Sequence, residues 1–423
     1  MLYDNAQLAR VYLHAWQVTG NEFFRTITEE ILDYVGCEML DPAGGFYSTQ
    51  DADSEGEEGK FFTWTMDEIH EVLGDEADEF IEAYGVKDGG NWEGKNILEL
   101  TGSQEQRATL ADALAKLFAV RETRIHPNRD EKVLTSWNGL MLAAFAEAAR
   151  VFSPSPGTGR GGWGVRAEAY RMIAERNAEF LLRELRNENG RLLRTWKACP
   201  KGTEGTGEAK LNGYLEDYAY LIEGLLELYQ TTFDAQWFVA AQQLAETILA
   251  HFQASEGGFF DTGDDHEALI TRPRDLQDNT TSSGNAMATT VLLKLAGLTN
   301  KVRYVDISQQ ALGKMQPMMS QYPLGFGQWL QALRHALSKP REIAIVCDPD
   351  SADTQALLNV VRDGHRPLEA VAPGAPDAQS LAVPLLQDRG PVNGGPAAYV
   401  CPDFTYQAPV TEPAELQAQL ASR

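Results

Sequence analysis

Apolar positions recur at steps of three and four along most of the chain, and the stripes they form come in pairs. Leu215, Tyr218, Ile222, Leu225 and Tyr229 mark one face of a helix; after a turn at 231–234, Trp237, Phe238, Ala241, Leu244, Ile248 and Phe252 repeat the spacing. A connection this short predicts a hairpin of antiparallel helices. The hairpin closes on Gly257-Gly258-Phe259-Phe260, where glycines permit backbone angles that side chains forbid and the aromatic pair gives the loop something to bury. The same order of helix, turn, helix and glycine-aromatic loop is read over 2–35 before Gly44-Gly45-Phe46-Tyr47, and over 137–185 before Gly190-Arg191-Leu192-Leu193. A fourth unit runs from Met287 past Tyr322 to Gly325-Phe326-Gly327. Helical pairs that cannot bury their apolar faces alone must stack, as an open solenoid or a closed toroid, and the aromatic-rich loops favour the toroid.

Two stretches break the pattern. Residues 48–60 are the most polar in the chain, and the alternation of Phe61, Phe62, Thr63 and Trp64 after them predicts a strand, so the loop is read as a long β-hairpin. Short helices follow over 67–73 and 76–84, then a helix over 103–123 with Ser103 and Gln106 as a capping box. The second break comes at Pro340. Beyond it, β runs at 342–347, 368–372 and 397–401 alternate with a helix at 352–362 and proline-glycine turns, which predicts a toroid domain over 1–339 and a small α/β appendage over 340–423. Residues 153–164 and 199–207 read as surface connections, because helical units of one kind lie on both sides.

A formal charge of −25 argues against phosphate backbones and anionic lipid as partners. No apolar run approaches a membrane span and no signal pattern opens the chain, so the expected location is cytoplasmic. Cys37, Cys199, Cys347 and Cys401 are scattered without CxxC or zinc spacing and read as reduced thiols.

Candidate chemistry lies in two places. Asp51, Asp53, Glu55 and Gly56 match the first half of a calcium loop, but position twelve is Phe62 where a bidentate carboxylate is needed, so no metal is assigned. Their alternatives are carboxylates over a cleft, for hydroxyl binding or proton transfer, or a solvated acidic loop. The second place is the helix starts, where Asp4 and Asn5 beside Tyr3, Trp137 and Asn138, and Asp217 and Tyr218 set amides or carboxylates beside aromatics, and Asn285 supplies a fourth polar start. A sugar ring asks for that mixture, aromatic faces for its C–H side and polar groups for its hydroxyls. Helix capping selects the same residues for local reasons. No HExxH, GxSxG or paired histidine supports zinc or serine hydrolysis, and no cofactor is implied.

The segments GGFYSTQDADSEGEEGKFFTWT, KVLTSWNGLM, YLEDYAYLIEGLLELYQ, GGFFDT and SSGNAMA resemble the thioredoxin-domain-containing proteins related to spermatogenesis-associated protein 20, over essentially the whole chain. The resemblance implies an (α/α)6 toroid of the six-hairpin glycosidase-like kind, similar to N-acylglucosamine 2-epimerases. It also implies a thioredoxin-like domain and first toroid helices that this chain lacks, hence an exposed apolar flank and self-association. Two functions are expected in consequence: a carbohydrate-active or carbohydrate-binding protein, epimerase-like or glycosidase-like, or a non-catalytic scaffold for a protein partner or thioredoxin-like domain. For the first, Asp217 and a carboxylate among Asp51, Asp53 and Glu55 are the expected catalytic pair, with Asp4, Asn5, Trp64, Trp137, Asn138, Tyr218 and Asn285 around the sugar.

Overall fold

A computed structural model describes residues 1–153, 161–199, 207–267, 270–338, 341–348, 351–375, 377, 382–402 and 407–421. The predicted junction at 339–340 and most of the connections at 153–164 and 199–207 lie outside the described residues. The chain forms two compact units, one of residues 1–48 with 132–423 and one of residues 49–131.

Helices α1 (Leu2–Thr19) and α2 (Glu22–Glu38) open the first unit as a hairpin. Gly20, in the left-handed conformation, ends α1, and the Asn21 side chain accepts from Phe23 N to start α2.

The second unit begins with strands β1 (Thr49–Gln50), β2 (Asp53–Ser54) and β3 (Glu57–Glu58), and continues through helices α3 (Met66–Leu73), α4 (Ala77–Ala83), α5 (Gln104–Thr109) and α6 (Ala111–Arg121) to β4 (Arg129–Asp130). β2 and β3 form a tight hairpin turning on Glu55 and Gly56, both at positive φ. The expected strand at 61–64 is absent. Gly59 turns the chain, and its carbonyl accepts from Phe62 N and from both Thr63 N and Thr63 Oγ1, which curls those residues into a turn. The Ser103–Gln106 capping box is present, but the helix it starts breaks at Leu110, where the Thr109 hydroxyl takes the carbonyl of Gln106.

Back in the first unit, β5 (Val133–Leu134) leads into α7 (Thr135–Val151), paired with α8 (Gly161–Glu184). Strands β6 (Leu193–Ala198) and β7 (Gly207–Asn212) join β5 in one small sheet. Next come α9 (Leu215–Thr232) with α10 (Ala235–His251), α11 (Gly284–Thr299) with α12 (Val302–Gln321), and α13 (Gly327–Leu337). Helices α1, α7, α9, α11 and α13 pack side by side in that order as an inner row, and α2, α8, α10 and α12 back the first four of them. This is the α/α toroid arrangement of helical hairpins. Sandwiched inner helices must be apolar nearly all round, and in α7, α9 and α11 almost every residue past the first turn is buried. The closest approach is α7 against α9: a Cβ on Gly139 would lie 2.6 Å from Leu221 N, and one on Gly224 2.8 Å from the Gly139 carbonyl.

Strands β8 (Arg341–Val346), β9 (Glu369–Gly374) and β10 (Ala397–Pro402) form a sheet in the order β10-β8-β9, with α14 (Ala352–Arg362) between β8 and β9 and α15 (Pro413–Ala421) after β10. This α/β element packs on α9 and α11, and its Ala344, Val346, Ala372 and Val383 belong to the same apolar core as the inner helices. On α1, Leu8, Val11 and Val18 form an exposed apolar stripe at helical spacing. Among the described residues, no helix is long and apolar enough to cross a membrane.

Candidate functional site

The polar residues at the inner-helix starts do one repeated job. Asn138, four residues into α7, accepts from Phe46 N at 2.7 Å and donates to Phe46 O at 3.0 Å, pinning the Gly44-Gly45 loop of the preceding hairpin. Tyr218, four residues into α9, accepts at its hydroxyl from Leu192 N at 2.8 Å. Asn285, at the start of α11, accepts from Phe259 N at 2.8 Å. In each case a fully buried polar group of one hairpin pairs with the glycine loop of the hairpin before it. Asp217 joins neighbouring helix starts, accepting from Ser136 N at 2.9 Å and Tyr214 N at 2.8 Å with Arg194 at 3.3 Å. Burial pushes its carboxyl up to about 6 against the pull of Arg194.

The remaining sequence candidates are dispersed. Trp137 meets Tyr3 edge to face at 4.8 Å, Asp4 is exposed, and Asn5 donates to the Met1 carbonyl. In the second unit Glu55 is paired with Lys60 at 2.8 Å, Asp51 accepts from Asp53 N at 3.4 Å, and Asp53 pairs with Glu58 across the β2–β3 hairpin. Trp64 is buried in that unit's core with the Arg124 guanidinium 4.0 Å above its ring.

Asparagine offers one acceptor oxygen where aspartate offers two. Asp217→Asn is therefore expected to leave a buried N–H of Ser136 or Tyr214 unpaired, at a cost of about 1–3 kcal/mol, detectable by urea unfolding.

The first unit's large cavity lies elsewhere, along the inner row. It encloses about 620 Å³, within the range of small-molecule sites, and is walled by α1, α7, α9, α11 and α13. Residues 364–371, leading into β9, close it from the C-terminal element. An ion network runs around its wall. Arg10 meets Glu147 at 2.9 Å and Glu223 at 3.0 Å, Lys294 bridges Glu223 at 2.8 Å and Glu227 at 3.0 Å, and Arg150 meets Glu227 at 2.6 Å. His14, one turn on from Arg10, sets Nε2 2.7 Å from Glu147 Oε1, and its ring lies 4.2 Å from that of His365, tilted by 35°. Glutamines 7, 17, 230, 328 and 331 complete a wall rich in hydrogen-bonding groups and, among the described residues, without a Phe, Tyr or Trp side chain.

Burial alone would raise these carboxyls, but the cations outweigh it: Arg10 and His14 hold Glu147 well below the usual range, and Lys294 and Arg150 hold Glu227 at about 2. Both are therefore ionised and can only accept, so His14 donates Nε2–H to Glu147. Burial, aided by Lys294, lowers His335 to about 4, and burial beside His14 lowers His365, so both are neutral. Glu369 is the exception among the cavity carboxyls: burial raises it against the pull of Arg366 and Arg341, and its Oε2 is buried with no hydrogen-bond partner.

Sequence reading passed over this cavity. Its signal was nonetheless present: Glu223 and Glu227, one turn apart in the run from Tyr218 to Tyr229, and Lys294 between Val291 and Leu298, are lone charges in helices otherwise apolar all round. Such a charge must face a polar space.

No family model matches the sequence. Human spermatogenesis-associated protein 20 is 30% identical over 466 residues, covering 99% of this chain and 57% of its own, and the rat protein is 32% identical over 464 residues with the same coverage. The chain is a homologue of spermatogenesis-associated protein 20. It spans 57% of the length of these relatives. Among solved structures, a sugar epimerase from a ruminal bacterium aligns with 74% of this chain and 60% of its own at 10% identity and a TM-score of 0.41, too distant to bear on chemistry.

Proposed function

We propose that the protein binds a sugar in the axial cavity and acts on it by proton transfer, as an epimerase or isomerase does. The observation that carries this is the His14–Glu147 pair in the cavity wall, 2.7 Å apart, beside a second imidazole at His365. Moving a proton at the carbon next to a sugar carbonyl requires a base to take it and an acid to return it, and imidazole serves in either role near neutral pH. Glutamines and fixed charges supply partners for several hydroxyls. The helix-start residues, including Asp217, Asn138 and Asn285, act in this scheme as the frame that fixes the helices.

A second reading, glycoside hydrolysis, is favoured by Glu369 alone. Hydrolysis needs a protonated carboxyl beside an ionised one, and Glu369 is the cavity carboxyl that burial keeps towards its protonated form.

One experiment separates these. Incubating the protein with aldoses in heavy water and following deuterium entry at the carbon next to the carbonyl by NMR is expected to show exchange, lowered roughly 10²-fold or more in His14→Gln and Glu147→Gln, the scale of a lost general base. Release of reducing ends from glycosides, abolished in Glu369→Gln, would favour hydrolysis. If calorimetry detects no binding of any sugar, the scaffold function replaces both.

A further inference from the structure

The molecule as a whole carries a formal charge of −25, yet its axial cavity is charged the other way. Four carboxylates line it: Glu147, Glu223, Glu227 and Glu369. Six basic side chains face them: Arg10, Arg150, Lys294, Arg334, Arg362 and Arg366. Four of the six are committed to those carboxylates, Arg366 meeting Glu369 at 3.4 Å and the others in the network described above. Arg334 and Arg362 are left over, and among the described residues neither forms an ion pair.

Arg362 is the more informative. It ends α14, largely removed from solvent, with Nη1 3.3 Å from Gln355 Oε1 and its guanidinium 5.5 Å from the Phe233 ring. Burial and the neighbouring charge of Arg150 lower its pKa to about 10, the mark of a cation without a counter-charge. A partly buried cation without a counter-charge is costly to keep, and a bound anion would remove the cost. The planar guanidinium also presents paired donors that match the oxygens of a phosphate or carboxylate. Elsewhere, the acidic balance of the molecule repels anions, so an anion is drawn to this cavity against the general field.

Resting on the carbohydrate reading above, we propose that the ligand of the axial cavity is an anionic sugar, a phosphate ester or a uronate, whose charge is met by Arg362 and Arg334. The polyol part would lie against the glutamines and the His14–Glu147 pair.

The test is calorimetric titration of the full chain with glucose, mannose and N-acetylglucosamine, their 6-phosphates and the matching uronates, with inorganic phosphate alone as a further probe. At least one charged sugar is expected to bind about tenfold or more tighter than its neutral parent, with affinity falling as salt rises. Arg362→Gln is expected to remove most of that preference, lowering the affinity for charged sugars by a larger factor than that for their neutral parents. Arg334→Gln, at an exposed position where folding is not at stake, is expected to lower it in the same direction. Equal binding of charged and neutral sugars would overturn the anionic assignment and leave the carbohydrate reading standing. Inorganic phosphate binding as tightly as every sugar phosphate would also overturn it, as would a charge preference intact in both variants. Absence of binding by every sugar would overturn the carbohydrate reading itself.

Discussion

Replacing Glu227 by glutamine is expected to cost about 3 kcal/mol of folding stability at neutral pH and almost none near pH ~2. The side chain is nearly isosteric, so no cavity opens; what is lost is the negative charge that Arg150 meets at 2.6 Å and Lys294 at 3.0 Å. These cations would remain in the wall with one counter-charge fewer, and stranding a buried charge costs more than the intact pair contributes. The size follows from the carboxyl itself: held at about 2 against an ordinary 4.5, it is linked to folding by about 3 kcal/mol. A depressed carboxyl gives stability that is fully present above its unfolded value and lost as pH falls through its folded one. The wild type should therefore weaken from pH ~5 to pH ~2 while the variant, with nothing to protonate there, weakens less, and the two should converge. Urea midpoints of both proteins across that range test this. A difference that stayed constant with pH would mean that packing, and not charge, holds the cavity wall.

The toroid hairpins were legible because inner and outer helices carry different but equally regular apolar patterns, and because each hairpin ends in a glycine-aromatic loop that interrupts them. Helix α13 was missed for a local reason: it is only 11 residues long and follows Pro323 and Gly325, which read as the end of a unit. The turn at 61–64 was misread because it also alternates in burial at its start, with Phe61 and Thr63 buried and Phe62 between them exposed. The axial cavity was the least legible feature. Its ion pairs join different helices, 137 residues apart in the case of Arg10 and Glu147, and no local spacing links partners across the cavity. At the helix starts the difficulty was chemical. Caps and sugar sites select the same asparagines and aspartates, and only the direction of their hydrogen bonds, towards backbone amides, separates the two.

Asn138→Ala is expected to be among the most damaging single substitutions in the protein, at about 3–5 kcal/mol. Its side-chain amide accepts from Phe46 N and from Asn177 Nδ2 at 3.0 Å, and donates to Phe46 O and to Leu134 O at 2.9 Å, the first three of them buried. Alanine would strand the amide and carbonyl of Phe46 and one Asn177 donor, each at about 1–3 kcal/mol. The loop has no room in which to rearrange: Gly44 sits at φ 117°, and a Cβ on Gly45 would lie 2.6 Å from the Phe180 ring. Asn138→Asp should fare nearly as badly, because the carboxylate keeps the acceptors but loses both donors and adds a buried charge. Thermal unfolding of the two variants beside Asn285→Ala, which breaks the equivalent pin at Phe259, provides the comparison. Loss of stability in all three, with sugar affinity of the folded fraction retained, is the outcome expected of a frame. Variants that fold as the wild type does but no longer bind sugar would instead return these helix starts to the binding site.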